Sequence, residues 1–167
     1  MRSLYCFLVS LQLCMLASCS SERGDFSVKA PDGWTVSDSI SAGGMRKVRM
    51  HPPLYSKTPV FVNNIIVSAL HFPSLYVYRS TTLRSLKSDA AYFAEKGSGE
   101  VLINGYRMEW EHHIIRNKPS EGIHEQKVYF IGDKGNIYQV VCTTAKGEMD
   151  VFQFRIDEVL RSFRILK

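Results

Sequence analysis

The first 18 residues divide the chain into a leader and the part that must fold. Leu4 to Leu16 is apolar except for Ser10 and Gln12, follows Arg2, and precedes small residues. A basic start, a short apolar run and small residues before a cleavage point are the layout of a secretory signal. The run is well short of the ~20 residues that span a bilayer. We therefore expect residues 1–18 to be a removable signal rather than part of the fold.

The next feature indicates a lipid anchor. Leu16-Ala17-Ser18-Cys19 resembles the bacterial lipoprotein signal, in which the Cys thiol receives a diacylglycerol and the peptide is cut before it. The alternative is an ordinary secretory signal cut nearby, which would leave Cys19 a plain thiol. We expect lipidation at Cys19 and a tether over residues 19–25. About six extended residues reach ~20 Å, so the domain should lie close to the bilayer.

Ser20 directly follows the cysteine. A serine rather than an aspartate at this place resembles lipoproteins that are exported to an outer membrane. The expected location is therefore the bacterial cell envelope, at the periplasmic face of the outer membrane where the cell has one.

The cysteine count limits how the mature domain can be held together. Of four cysteines, Cys6 and Cys14 leave with the signal and Cys19 takes the lipid, so only Cys142 remains. An intramolecular disulfide is then impossible, although export would permit one. The sequence is 45% hydrophobic, which is enough for one compact domain over residues 26–167. Cys142 follows Val140-Val141 in an apolar strand and is expected to be buried rather than nucleophilic.

The charge balance excludes one class of partner. The chain carries 21 Lys and Arg against 16 Asp and Glu, a net charge of +5. Removing Arg2 with the signal leaves 20 against 16, or +4. The charges are interleaved and form no basic block, so we expect no nucleic-acid partner.

Strand patterns occupy most of the domain. Apolar and polar residues alternate over short segments that end at turn residues. We predict a hairpin of residues 26–30 with 34–36, strands at 45–50 and 60–70, and a proline-rich loop at 51–59. Two further hairpins are predicted, 100–103 with 106–115 across Asn104-Gly105, and 127–131 with 137–144 across residues 132–135.

Two helices are predicted. The first covers residues 80–96, with Ser80 or Thr81 at its start and Gly97 at its end, and carries Leu83, Leu86, Ala90 and Phe93 on one stripe. The second begins at Asp150, with Gln153 as a capping box, and carries Phe152, Ile156, Val159 and Phe163 inward. Helices and antiparallel hairpins together predict an α+β domain with a central antiparallel sheet.

Four segments, in order, resemble the PsbP-like superfamily. They are FSVKAPDGW at 26–34, INGY at 103–106, GNIY at 135–138 and LRSFRI at 160–165. The resemblance spans residues 26–166 and implies a central antiparallel sheet with helices packed on its faces, an α/β/α sandwich. It also implies a non-enzymatic role: the PsbP subunit docks on photosystem II, and a nuclear-import factor of this fold binds a small GTPase. Fold alone names no partner.

One strand face carries residues that could bind a metal. Period two places Arg107, Glu109, Glu111 and His113 on one face of the strand 106–115. Glu109, Glu111 and His113 could hold a divalent cation if His124 or Glu125 supplied a fourth ligand. The alternative is a solvated strand face whose acids pair with basic residues such as Lys127. His112 faces the other way, beside Trp110, as a half-buried histidine.

The segment 71–79 is a candidate partner surface. It is aromatic, ends in an arginine, and is predicted to be a loop. Tyr, Phe and Arg are enriched where protein partners bind, so Phe72, Tyr76, Tyr78 and Arg79 are the candidate contacts. The alternative is a segment that merely covers the sheet. The proline-rich loop 51–59 is a weaker candidate of the same kind.

No motif of a hydrolase, a zinc protease or a phosphate-binding loop occurs in the sequence, so we expect neither an enzyme nor a cofactor. The function predicted from the sequence is a membrane-anchored, non-enzymatic binding or assembly module for another envelope component. The alternative is a lipoprotein that binds a metal or a small ligand, either at the Glu109 face or in a pocket beneath residues 71–79.

Overall fold

The computed structural model describes residues 25–41, 44–53 and 63–166. The predicted signal, Cys19, and residues 54–59 of the proline-rich loop lie outside these residues. The strands and helices are β1 (Asp25–Ser27), β2 (Thr35–Ile40), β3 (Arg46–His51), β4 (Asn64–His71), α1 (Leu75–Asp89), β5 (Tyr92–Ile103), β6 (Tyr106–Arg116), β7 (His124–Asp133), β8 (Asn136–Ala145), α2 (Met149–Ser162) and β9 (Arg164–Leu166). Neither described helix is both long and apolar enough to cross a membrane.

Seven strands form one sheet in the order β2-β3-β4-β8-β7-β6-β5, and every neighbouring pair is antiparallel. The predicted α+β class with a central antiparallel sheet is confirmed. Both predicted long hairpins are present, and each closes through two residues of positive φ. Asn104 and Gly105 have φ of 55° and 80°, and Lys134 and Gly135 have φ of 47° and 78°, the backbone that two-residue hairpin turns require.

The two faces of this sheet are covered differently. One face, here the core face, packs against α2 and the small β1–β9 sheet. Alternate strand residues such as Val67, Met108 and Val140 are buried there, together with Ile156 and Val159 of α2. Helix α1 lies on the opposite face, here the α1 face, where its own side chains stay partly exposed. The larger hydrophobic cluster therefore lies on the core face, while the α1 face buries a smaller apolar set that includes Ile115 and Phe130 and also carries polar groups and a groove.

The first helix begins and ends earlier than predicted. Ser74 caps it by accepting a hydrogen bond from the backbone N–H of Val77 at 3.3 Å, and the chain is extended again at Ala90. The predicted apolar stripe of this helix included Phe93, but Phe93 belongs to β5, where it packs against His113. Gly97 lies inside β5 beside a bulge and does not cap the helix. The prediction of a loop over residues 71–79 is also wrong at both ends, because His71 is the last residue of β4 and α1 begins at Leu75.

The first strand has a different partner from the one predicted. Phe26 of β1 pairs with Ile165 of β9, at the other end of the chain, while β2 pairs with β3. Phe26 is fully buried and stacks on Phe163 at 5.9 Å. Burial of this ring therefore decides which strand β1 pairs with, and the alternation of apolar and polar residues in 26–30 does not reveal that partner. Between the two strands, residues 31–34 form only a turn.

Arg46 joins the small sheet to the large one. Its guanidinium binds Asp25 at 2.6 Å and Asp38 at 2.8 Å, donates to the Phe26 carbonyl, and lies 4.7 Å from the centre of the Phe26 ring. The hydrogen bonds from Arg46 lower the pKa of Asp38. The beginning of β1 is thus bound to β2 and β3, at one edge of the large sheet.

The second helix begins at Met149, and the predicted capping box does not form. Glu148 is the N-cap and makes no side-chain capping hydrogen bond. The amide of Gln153 instead donates to Asp157 at 2.8 Å. The inward stripe is correct at Ile156, Val159 and Phe163, all of which are buried.

Candidate functional site

Arg79 ties helix α1 to the sheet. Its guanidinium donates to Glu111 Oε1 from Nη2 at 2.7 Å and from Nε at 3.2 Å, and Nη1 forms an ion pair with Glu109. The same group lies 5.5 Å from the centre of the Phe130 ring. The side chains of Arg79 and Glu111 are only 23% and 11% exposed. A charge-assisted contact of this kind, shielded from water, is among the stronger interactions in a protein.

The ion pairs of Arg79 occupy the carboxylates that were predicted to bind a metal ion. Glu109, Glu111 and His113 share one face as predicted, but the two carboxylates bind a cation of the protein's own, Arg79. His113 is buried against Phe93, and its Nε2 lies 3.0 Å from Gln126 Oε1. Among residues 25–41, 44–53 and 63–166, no three His, Cys, Asp or Glu side chains are placed to hold a metal ion.

Of the other residues named for this site, His124 shares the face of His113, whereas Glu125 and Lys127 lie on the opposite face. Glu125 cannot be the fourth ligand because it lies on the core face, 4.0 Å from His112 Nε2. Lys127, the basic residue expected to pair with the acids, also lies on the core face, 4.9 Å from the centre of the Trp110 ring. The acids of β6 are therefore paired with a basic residue, but it comes from α1 and not from the neighbouring strand.

An open groove of about 620 Å³ runs beside α1. Its lining is Phe72, Tyr78, Thr81, Thr82, Ser85, Leu86, Asp89, Ala90, Ile115 and Asn117. The helical members recur every three or four residues from Tyr78 to Asp89, which is one stripe of a helix. That stripe is about 17 Å long at 1.5 Å per residue. The volume lies within the ~300–1,000 Å³ typical of ligand sites in proteins.

Two aromatic residues close the N-terminal end of the groove. The rings of Phe72 and Tyr78 lie 5.5 Å apart, and the Tyr78 hydroxyl donates to Gln139 Oε1 at 3.2 Å. Burial raises the pKa of Tyr78, although its hydrogen bonds to Thr82 and Gln139 oppose the shift. Tyr78 is thus a neutral, fixed part of the wall, while Asp89 carries a charge at the other end.

The structure separates the four predicted contact residues. Phe72 and Tyr78 line the groove. Tyr76 is 79% exposed and lies outside it, and Arg79 points to the sheet. The hydroxyl side chains that complete the wall, Thr81, Thr82 and Ser85, were not predicted. Their helical spacing with Tyr78 and Leu86 is present in the sequence, but it indicates a shared face only for a helix that begins at Leu75.

Comparison with solved structures identifies the architecture. The chain is similar to CyanoP, the cyanobacterial PsbP of Synechocystis, with a TM-score of 0.56 and 15% identity over 91% of this chain and 99% of that one. The fold is PsbP-like. A Mycobacterium tuberculosis protein described as involved in cell envelope biogenesis, LpqN, matches with a TM-score of 0.59 and 12% identity over 89% of this chain and 88% of that one.

A third similar structure is longer than this chain. A protein from Bacteroides thetaiotaomicron matches 85% of this chain with a TM-score of 0.53 and 13% identity, but the chain spans only 45% of that protein. No protein-family model matches this sequence, and neither does any curated protein. At these identities the likeness shows the fold and not the activity.

Two histidines make the stability of the PsbP-like domain depend on pH. Burial lowers the pKa of His112, with Glu125 opposing and Lys127 reinforcing the shift, and burial also lowers the pKa of His124. The unfolded chain then binds more protons than the folded one below about pH 6.5. The free energy of unfolding should be highest above that pH and should fall as the pH drops from 7.5 to 5.5.

Urea unfolding at a series of pH values measures this dependence. The double variant His112→Gln and His124→Gln should show a flatter profile between pH 7.5 and 5.5, since it removes both titrating groups. A protein whose stability rises on acidification over this range would contradict the prediction.

Proposed function

We propose that this protein is a lipid-anchored, non-enzymatic binding module of the bacterial envelope, and that the groove beside α1 receives an apolar segment of another envelope protein. The groove is the observation that carries the proposal. Among the described residues that line it, only Tyr78 and Asp89 titrate in water. The remaining lining is aliphatic, aromatic, hydroxyl or amide, a set suited to holding a ligand rather than transforming it.

The shape of the groove favours a peptide segment as its occupant. A surface about 17 Å long accommodates roughly five extended residues at ~3.4 Å each, or three turns of helix. Phe72, Leu86 and Ile115 offer apolar contacts along it, and Asp89 offers one negative charge at its C-terminal end. We therefore expect a segment with two or three apolar residues and a basic residue near Asp89.

The anchor supports the same conclusion from the sequence. A lipid on Cys19 and a tether of about six residues would hold the domain within ~20 Å of the membrane, where envelope proteins are the available partners. The likeness to an envelope biogenesis protein is in accord with this location. We do not propose metal binding, since Arg79 already binds the carboxylates of Glu109 and Glu111 that a metal site would require.

Site-specific photocrosslinking in intact cells tests the proposal. A photoreactive phenylalanine at Ser85 lies in the groove wall, and the same group at the neighbouring Arg84 is exposed but outside the groove. We expect one or a few defined envelope protein adducts from position 85 and none from position 84. Thr82→Trp, which fills the groove from the same helix, should abolish them.

Two results would overturn the proposal. One is equal adduct formation at positions 84 and 85, and the other is no adduct above a control that carries only the signal, the tether and an unrelated domain. Crosslinking to a small apolar molecule instead of a protein would keep the groove as a site but would reject the protein partner.

A further inference from the structure

A second cleft lies on the other side of the sheet, between α2 and the β5–β6 hairpin. Its inner part, of about 200 Å³, is lined mainly by Trp110, Lys127, Tyr129, Gln153 and Asp157. Its outer part, of about 390 Å³, is bounded by Asn104, Asp157 and Arg161. The two parts share Val101, Ile103 and Asp157, so they form one continuous cleft.

Two glycines in β5 explain why the inner part is open. A Cβ atom at Gly99 would lie 3.0 to 3.1 Å from Cζ2, Cε2 and Nε1 of Trp110, and one at Gly97 would lie 3.7 Å from Cη2. The indole ring of Trp110 therefore packs against the backbone of β5 and does not fill the space under α2. Glycine inside a strand weakens it and marks a place where another group approaches closely. The result is an aromatic wall beside an unfilled space.

Polar groups of both signs follow one another along this cleft. Lys127 Nζ donates to Gln153 Oε1 at 3.1 Å, and Gln153 Nε2 donates to Asp157 Oδ1 at 2.8 Å. Arg161 Nη2 lies 3.9 Å from Asp157 Oδ2, beyond hydrogen-bond distance. Burial raises the pKa of Tyr129 to about 12, so its hydroxyl stays protonated at the inner end.

These groups still have bonding capacity for a ligand. An ammonium has three protons, and Lys127 donates one of them to Gln153 while its Nζ lies 4.9 Å and 5.5 Å from the centres of the Trp110 and Tyr129 rings. A carboxylate accepts about four hydrogen bonds, so Asp157 can accept from a ligand hydroxyl while it holds Gln153. Lys127 and Arg161 lie on either side of Asp157, which leaves the cleft with one excess positive charge.

We propose that this cleft binds an acidic saccharide. The C–H face of a sugar ring packs on an aromatic surface, here the part of Trp110 that the Lys127 ammonium leaves uncovered. Its hydroxyls donate to the Asp157 carboxylate, and its acid group pairs with an ammonium or a guanidinium. The outer part, of about 390 Å³, lies within the ~300–1,000 Å³ typical of ligand sites in proteins. The site is independent of the groove beside α1, because it lies on the core face.

Trp110 provides the readout. The chain contains two tryptophans, so Trp34→Phe leaves Trp110 as the only one. The full chain, purified in a detergent without a sugar headgroup, is titrated with glucuronic acid or N-acetylmuramic acid, and glucose is the neutral control. We expect a saturable change in the fluorescence of Trp110 with the acids and a markedly weaker response with glucose.

Two variants assign the binding to this cleft. Lys127→Met and Asp157→Asn should each weaken binding about tenfold or more, whereas Arg155→Met, which removes a positive charge from α2 outside the cleft, should leave it unchanged. Circular dichroism of each variant shows that the fold is retained. The Ser85 crosslink should be unaffected by Lys127→Met, so the two proposals can fail separately.

The proposal is overturned if no acid gives a saturable response, if glucose binds as tightly as glucuronic acid, or if neither variant in the cleft weakens binding. Each of these outcomes would leave Trp110 and its neighbours with a structural role only.

Discussion

Replacing Cys19 by alanine should release the protein from membranes almost completely. Two or three acyl chains hold a protein stably at a bilayer, at ~0.8 kcal/mol per buried CH₂, whereas one chain alone is marginal. Neither described helix can span a membrane in their place. Fractionation of cells that produce the Cys19→Ala protein should therefore find it in the soluble fraction, and the original chain in the membrane pellet.

Cys142→Ala is the matched control. Cys142 is buried in β8 and belongs to the core, and burial raises the pKa of its thiol, so the thiol is shielded from modification. This variant should remain with the membranes. Persistent pelleting of the Cys19→Ala protein, after a salt wash that removes peripheral contacts, would contradict the lipid anchor.

Arg79→Met should cost about 2–3 kcal/mol of the free energy of unfolding. The substitution keeps much of the aliphatic stem but leaves Glu109 and Glu111 side by side beneath α1 without their cation. Removing one partner of a shielded ion pair costs more than the pair itself contributes, because the remaining charge stays desolvated. With a total stability of ~5–15 kcal/mol for a domain of this size, the loss would be large.

Denaturant unfolding with a matched substitution on the same helix measures this loss. Arg84→Met removes an exposed arginine of α1 and should change stability by less than about 0.5 kcal/mol. Adding Glu111→Gln to Arg79→Met should recover part of the stability, because it removes one of the unpaired charges. If Arg79→Met were as mild as Arg84→Met, the ion pair would not hold α1 on the sheet.

The sequence predicted best those parts of the fold that depend on neighbours in the chain. The hairpins at Asn104-Gly105 and at residues 132–135 were predicted because their turn residues and flanking alternation are local. The inward stripe of α2 was predicted because Ile156, Val159 and Phe163 recur at helical spacing. The PsbP-like architecture was predicted from the order of four segments, three of which lie at these two hairpins or at the end of α2.

The predictions were wrong where a contact between residues far apart in the sequence determines the structure. β1 pairs with β9 because Phe26 stacks on Phe163, more than a hundred residues away along the chain. The start of α1 was misplaced because Phe93 continues the apolar stripe by coincidence while belonging to β5. Because the predicted helix began at Ser80, the groove beside it was not predicted. For the same reason, the pairing of Arg79 with Glu109 and Glu111 was not predicted either.

The fastening of β1 also determines how the domain would bear mechanical load. A pull on the proposed lipid at Cys19 would enter the fold at Asp25, the first residue of β1. Arg46 would transmit that load to β2 and β3, and the burial of Phe26 would resist extraction of the strand. The traction would therefore be absorbed at one edge of the molecule, while α1 and the groove beside it lie outside its path. A partner drawn against the membrane could thus be held without deforming the surface that recognises it.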